Sequence, residues 1–196
     1  MNRILENLQS YNLILGSASP RRNELLAGLG IEFKVQTIDV EETYPSHLRG
    51  CEIPMYLAEK KADAFLTRLT DNSLLITADT IVLLDEKVLG KPENKEQARE
   101  MLKFLSGKSH SVITGVSLTS STRRRTFHSV SEVHFAVLSD PEIEYYLDTF
   151  KPYDKAGSYG IQEWIGYVGV EQINGSFYNV MGLPVQHLYS ELKKWQ

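Results

Sequence analysis

The chain has 196 residues, of which 42% are hydrophobic, 10% aromatic and 23% charged, excluding a disordered, collagen-like or low-complexity polymer and allowing a substantial core. Lys and Arg number 21 against 25 Asp and Glu; the net charge of -4 argues against wholesale binding to duplex nucleic acid. A single cysteine, Cys51, excludes an intramolecular disulfide and argues against a thiolate metal cluster.

The longest nearly apolar run, Leu74 to Leu84, is too short for a membrane span and carries Asp79 at its middle. Residues 1–11 lack the unbroken apolar stretch and small-residue cleavage site of a secretory leader. A soluble cytoplasmic protein is the expectation, and Asn174-Gly175-Ser176 then reads as a turn rather than a glycosylation site. No internal repeat or Gly/Ser/Pro-rich linker divides the chain, which argues for one continuous fold.

Asn12 to Gly16 reads as a short buried strand. Ser19 and Pro20 open a helix as N-cap and first-turn proline, with Leu25, Leu26 and Leu29 as its apolar face and Gly30 as its stop. Glu32 to Ile38 alternates like a strand. Pro54 to Leu69 has the stripe of a helix, through Leu57, Ala58, Ala62, Phe65, Leu66 and Leu69. Ser73 to Leu84 is one central strand or two. Asn94 caps a helix reaching Leu105, followed by Gly107. His110 to Ser120 and Thr126 to Leu138 form two longer strands, paired across a turn bearing Arg123, Arg124 and Arg125. Ser139-Asp140-Pro141 starts a helix through Phe150. Gly166 to Ile173 and Ser176 to Val180 are expected as a hairpin around Asn174-Gly175. Pro184 to Trp195 closes the chain as an amphipathic helix. Helices alternating with strands early and hairpins later indicate an α/β protein with a mixed sheet.

Three features sit oddly for purely structural residues. The first turn after Ser17-Ala18-Ser19-Pro20 carries Arg21 and Arg22 and no acid, although a helix N-terminus favours negative charge. Either an external anion completes it, the N–H groups, serines and guanidiniums forming a phosphate cradle, or both arginines simply extend into solvent. Asp79 is costly inside an apolar strand unless paired or metal-bound; alternatively Asp79 and Thr80 form a turn between two shorter strands. Lys61 lies on the buried stripe of its helix, either snorkelling or reaching into an anion pocket.

Weaker signals accompany these. Gly90-Lys91-Pro92 fixes a lysine after a strand. Asp39-Val40-Glu41-Glu42 is a Mg²⁺-type carboxylate cluster or a charged loop. Lys151 to Gln162 is a polar, glycine-containing loop of the kind that lines sites. Gly107-Lys108-Ser109 ends like a P-loop but has Leu102 where the first glycine is required. The sequence contains no Gly-x-Ser-x-Gly, Gly-x-Gly-x-x-Gly or His-Glu-x-x-His pattern, and its five histidines lack zinc-ligand spacing.

Taken in order, Ser17-x-Ser-Pro-Arg-Arg22, Ala78-Asp79-Thr80, Gly90-Lys91-Pro92 and Asp154-Lys-Ala-Gly-Ser-Tyr-Gly-Ile-Gln162 resemble the Maf family of nucleoside triphosphate pyrophosphatases. The similarity runs from about Leu13 to the final helix, so that residues 1–196 read as a single domain with residues 1–11 as an N-terminal extension. The resemblance implies a fold like that of the inosine triphosphatases, a long mixed β-sheet with flanking helices and two lobes around a cleft. It also implies a reaction dependent on a divalent cation, Mg²⁺ or Mn²⁺, in which NTP and water give NMP and pyrophosphate, in a house-cleaning or division-linked role. The last motif is similar to that of the branch acting on dTTP and UTP.

By the same resemblance Asp79 is the proton acceptor, and Arg21, Thr80 and Gln162 set substrate specificity. Ser17, Arg21, Arg22, Lys61 and Lys91 bind phosphates, and Glu42 and Asp79 hold the metal. The substrate is the expected partner, with a homodimer carried over from the family and neither nucleic acid nor membrane implied. Two positions depart from the family pattern: Gly16 stands for the usual alanine, harmless beside a phosphate, and Glu163-Trp164 stands where glycine is common, at the rim of the base pocket. A non-catalytic nucleotide sensor and a nucleic-acid module built on Arg21, Arg22 and Arg123 to Arg125 are the alternatives.

Overall fold

The computed structural model describes residues 3–195. Residues 1 and 2 of the expected N-terminal extension, and Gln196 at the end of the expected domain, lie outside the described residues. Seven strands form one sheet in the order β2-β1-β3-β5-β6-β7, with β4 paired to β3. The strands are β1 (Asn12–Gly16), β2 (Lys34–Gln36), β3 (Ser73–Leu84), β4 (Lys87–Leu89), β5 (Ser109–Thr119), β6 (Arg124–Phe135) and β7 (Val170–Asn174). β1 runs parallel to both β2 and β3, whereas β4 is antiparallel to β3 and β7 to β6. The sheet is therefore mixed, as the sequence indicates.

The chain divides into two compact units. Unit 1 comprises residues 1–79, 114–129 and 182–196, and unit 2 comprises residues 80–113 and 130–181.

In unit 1, α1 (Pro20–Ala27) follows β1 with Ser19 as N-cap, and α2 (Glu52–Asp63) precedes β3. Leu13, Ile14 and Leu15 are all buried, as suits a strand paired on both sides in parallel. Two contacts seat α2. The Thr77 hydroxyl donates to the Ala58 carbonyl at 2.7 Å. Gly115 on β5 approaches the first turn of α2 so closely that a Cβ there would lie 2.4 Å from the Pro54 carbonyl carbon, so only glycine fits. The helix ends at Asp63 rather than running to Leu69. A 3-10 turn over Leu66–Arg68 continues it, leaving Leu66 at 48% exposure. Expected over Glu32 to Ile38, β2 shortens to three residues. α7 (Val185–Lys193) closes the unit, and Asn7 donates to its end at the Leu192 and Trp195 carbonyls.

The three consecutive arginines are spent inside this unit. Arg123 lies over the Trp195 ring at 5.0 Å, Arg124 pairs with Asp63 at 2.5 Å and Arg125 pairs with Glu191 at 3.1 Å.

Unit 2 holds an apolar cluster of its own. Its members include Leu84, Leu102, Leu105, Val133, Phe135, Ile143, Leu147 and Ile165. α3 (Lys95–Leu105) begins at Asn94, whose side chain accepts from the Gln97 N–H, and α4 (Asp140–Phe150) begins with a Ser139/Glu142 capping box. The β3–β4 hairpin, absent from the sequence expectation, turns through Asp85 and Glu86, both with positive φ.

The expected hairpin around Asn174-Gly175 does not form. Gly166 lies in α5 (Trp164–Val168), β7 pairs back onto β6 with Ile173 opposite Val133, and Ser176 opens α6 (Phe177–Met181). The Ser176 hydroxyl accepts from the Asn179 N–H at 3.3 Å, and the buried Asn179 amide donates to Val112 and to Ser131, both at 3.0 Å. Asn174-Gly175 is thus a turn, as read, but it leads into a capped helix rather than a second strand.

Candidate active site

In unit 1 the apolar run of β3 carries Asp79 without interruption. The strand is a single twelve-residue element, so Asp79 sits within it and not in a turn between two strands. It is buried, with 6% exposure, and the compensation comes from α2. Lys61 turns its ammonium inward to donate to the Asp79 carboxylate and, at 2.8 Å, to Glu42 from the loop that follows β2. Lys61 therefore does not snorkel. Of the Asp39 to Glu42 run, Glu42 is the residue joined to this cluster, while the Asp39 and Glu41 side chains are exposed.

The start of α1 belongs to the same group. Its first turn holds no acid; the Ser19 hydroxyl accepts from the Arg22 N–H at 3.4 Å, and the Ser17 hydroxyl accepts from the Ser19 N–H at 3.2 Å. Arg22 folds back rather than extending into solvent, its Nε donating to the Gly182 carbonyl at 2.8 Å. Burial lowers the pKa of its guanidinium from the ordinary value; the nearby carboxylates of Asp79 and Glu42 oppose that shift and the charge of Arg21 adds to it. Unit 1 thus gathers Ser17, Arg21, Arg22, Glu42, Lys61 and Asp79 into one electrostatic neighbourhood.

Two carboxylates meeting on one ammonium form a donor set that suits a hydrated Mg²⁺ or Mn²⁺ completing its shell with phosphate oxygens and water. It does not form a protein-only cage: among the described residues no group of three or more His, Cys, Asp or Glu could hold a metal ion.

Gly16, which precedes Ser17, is constrained by packing. A Cβ there would lie 2.8 Å from Thr77 Cγ2 and 3.1 Å from both Leu75 and Phe65. The glycine therefore has a steric cause in this chain, and exchange for alanine is not the harmless change the resemblance suggests.

Unit 2 contains Thr80, Lys91 and Gln162. Thr80 is the half-buried residue after Asp79 on β3, and Lys91 is exposed in the loop after β4. That loop is tied to the glycine-containing loop by the Gly157 N–H, which donates to the Gly90 carbonyl at 3.1 Å. Gly157 has φ +68° and packs on Val82 so tightly that a Cβ would lie 2.9 Å from Val82 Cγ2. The backbone thereby links the segments bearing Lys91 and Gln162 and sets them against β3. The amide oxygen of Gln162 is buried with no hydrogen-bond partner.

Three residues organise this loop, of which Glu163 and Lys155 stand in stretches the sequence singles out and Tyr146 does not. Lys155 is buried and pairs with Asp154 at 2.7 Å and with Glu163 at 3.1 Å. Glu163 also accepts from the Tyr146 hydroxyl, and that hydroxyl accepts from the Gly160 N–H at 3.0 Å. Burial and the Glu163 carboxylate push the Tyr146 phenol far above its ordinary pKa, so it remains a donor. Glu163 is thus a structural tie, not a free rim residue. The one available signal was the acid directly after Gln162.

Among the described residues, no helix is long and apolar enough to cross a membrane. A solved Ham1 protein from Staphylococcus aureus is similar to 64% of this chain and 72% of its own, with 15% identity and a TM-score of 0.48. A relative from Bacteroides thetaiotaomicron, named dTTP/UTP pyrophosphatase, is 58% identical over 97% of this chain and all of its own length. Another from Phocaeicola vulgatus, with the same name, is 59% identical over the same shares. One from Cytophaga hutchinsonii, again so named, is 48% identical over 97% of this chain and 87% of its own. The family profile described as Maf-like protein matches residues 12–195, and the chain belongs to that family.

Proposed function

We propose that this chain is a nucleoside triphosphate pyrophosphatase that hydrolyses dTTP and UTP to the nucleoside monophosphate and pyrophosphate. The observation that carries the reading is the buried Asp79 carboxylate held by Lys61 in the unit that also carries Arg21 and Arg22 at an acid-free helix start. The name shared by full-length relatives supports the substrate class.

In the reaction, water attacks the α-phosphorus and the bond from that phosphorus to the bridging oxygen of the β-phosphate breaks. Asp79 takes the proton of the attacking water, its orientation fixed by Lys61. Ser17, Arg21, Arg22, Lys61 and Lys91 bind the triphosphate and stabilise charge on the leaving pyrophosphate. Phosphoryl-type transfers depend chiefly on such positioning and electrostatics. Glu42 and Asp79 would hold the divalent cation, which when bound would neutralise phosphate charge.

Arg21, Thr80 and Gln162 set the choice of base. The Gln162 amide carries both a donor and an acceptor, the complement of the O4 and N3–H edge shared by thymine and uracil. Its buried amide oxygen lacks a donor, and N3–H is one. Cytosine reverses the pattern, so CTP is a poor substrate. Release of pyrophosphate from dTTP and UTP in the presence of Mg²⁺, with kcat/KM for CTP well below that for UTP, is the test; equal values for CTP and UTP overturn the base assignment.

A further inference from the structure

The hydroxyl of Tyr146, projecting from α4, is engaged by residues on both sides of Gln162. It accepts from the Gly160 N–H at 3.0 Å and donates to the Glu163 carboxylate. The Glu163 N–H closes the intervening turn onto the Gly160 carbonyl at 2.9 Å. The Glu163 side chain is held from its other oxygen by Lys155, which is itself buried and paired to Asp154. The Tyr146 ring is fixed in turn, fully buried and stacked on Phe150 with centroids 5.2 Å apart. A Cβ at Gly160 would lie 2.8 Å from the Glu163 carboxyl carbon, so Gly160 and Glu163, the ends of the turn that carries Gln162, are packed as well as hydrogen-bonded.

A buried acceptor with no donor is costly, and a mobile loop would turn it to solvent. The clamp around Gln162 opposes that escape and leaves the amide oxygen for an incoming donor. A ring nitrogen bearing hydrogen supplies one, and an unprotonated ring nitrogen does not.

We propose that Tyr146 and Glu163 are positioning residues for base selectivity: their hydrogen bond holds Gln162 oriented to accept the uracil or thymine N3–H, and losing it relaxes discrimination against cytosine without removing the catalytic machinery. This inference rests on the reading of Gln162 as the base-contacting residue. The shared hydroxyl is the link, because Tyr146 accepts from Gly160 and donates to Glu163, the two ends of the turn that carries Gln162.

The test is the ratio of kcat/KM for UTP to that for CTP, measured on the intact protein with Mg²⁺ for the wild type, Tyr146→Phe, Glu163→Ala, Glu163→Gln and Gln162→Ala. Tyr146→Phe keeps the ring and its stacking on Phe150 while removing the shared hydroxyl. The expected result is a ratio about tenfold lower in Tyr146→Phe and Glu163→Ala, on the scale of a sub-ångström misplacement, with kcat for dTTP held within about threefold of wild type. Glu163→Gln retains an acceptor for Tyr146 and recovers most of the ratio. A uniform loss of activity on both substrates is the signature of a merely structural role and contradicts the inference. A ratio unchanged in Tyr146→Phe and Glu163→Ala while Gln162→Ala collapses it overturns the positioning role and leaves the base assignment standing. Should Tyr146→Phe fail to fold, the Glu163 pair decides on the same criteria. No discrimination in the wild type, or none lost in Gln162→Ala, overturns both readings.

Discussion

Lys61 and Asp79 form an ion pair between the inward face of α2 and the interior of β3, with side-chain exposures of 15% and 8%. Glu42 shares the same ammonium from the loop that follows β2. Such a pair is poor evidence of stability, since desolvating both charges offsets most of their attraction. Its value in the proposed reaction is orientation: Asp79 cannot turn away from Arg22 at the start of α1 without abandoning Lys61.

Asp79→Asn keeps the size of the side chain and removes its capacity to accept a proton. Turnover of dTTP falls ~10²-fold or more, with KM changed far less. Steady-state kinetics on a folded sample check this, and a kcat close to wild type removes Asp79 from the chemistry.

Lys61→Met preserves the stem and deletes the charge, leaving Asp79 buried without its ammonium. The variant loses about 3 kcal/mol of stability and binds dTTP roughly tenfold more weakly. Denaturant unfolding and KM are the two readouts. An unchanged midpoint together with an unchanged KM contradicts the role assigned to the pair.

Gly16→Ala forces a methyl against Thr77 Cγ2, and overpacking of this kind costs about 1–3 kcal/mol. Thr77→Ser removes that methyl and keeps the hydroxyl that donates to Ala58. The double variant therefore recovers most of the loss, and thermal melts of the four proteins give the coupling directly. Additive effects show that the clash is relieved elsewhere.

His110 sits at 2% exposure, its Nε2 2.7 Å from the Tyr159 hydroxyl, and burial brings its pKa from 6.5 down to about 4. In the unfolded chain the same imidazole takes up a proton near pH 6.5, so between there and pH 4 the unfolded state binds more protons than the folded one. Stability contributed by neutral His110 is fully present above about pH 6.5 and is lost as pH falls towards 4, amounting to about 3 kcal/mol. His110→Gln flattens that part of the stability–pH curve. An unaltered slope in the variant assigns the acid sensitivity to other groups.

What the sequence made legible follows from how local each signal is. Asp79 stood out because a carboxylate among ten apolar and β-branched residues has no local explanation, and Lys61 because its position falls on a buried stripe; the structure joins the two. Caps at Ser19, Asn94 and Ser139 were equally local, since three or four consecutive residues decide them. The second strand around Asn174-Gly175 failed for the converse reason: Ser176 and Asn179 cap a helix whose anchoring partners, Val112 and Ser131, lie 67 and 48 residues away from Asn179. The packing that requires Gly16 depends on Thr77 across the sheet, and the Tyr146 clamp spans a helix and a loop. Neither contact has a short-range pattern to read.

The measurement that tests the account most directly is product analysis by ion-exchange chromatography after incubating the protein with dTTP, UTP, CTP, GTP and 7-methyl-GTP separately, with Mg²⁺ and with EDTA. The account predicts nucleoside monophosphate and pyrophosphate from dTTP and UTP, and no turnover once the metal is chelated. Nucleoside diphosphate and inorganic phosphate as products would place the attack at the γ-phosphorus and contradict the mechanism. Tight nucleotide binding without turnover would contradict the enzymatic reading itself.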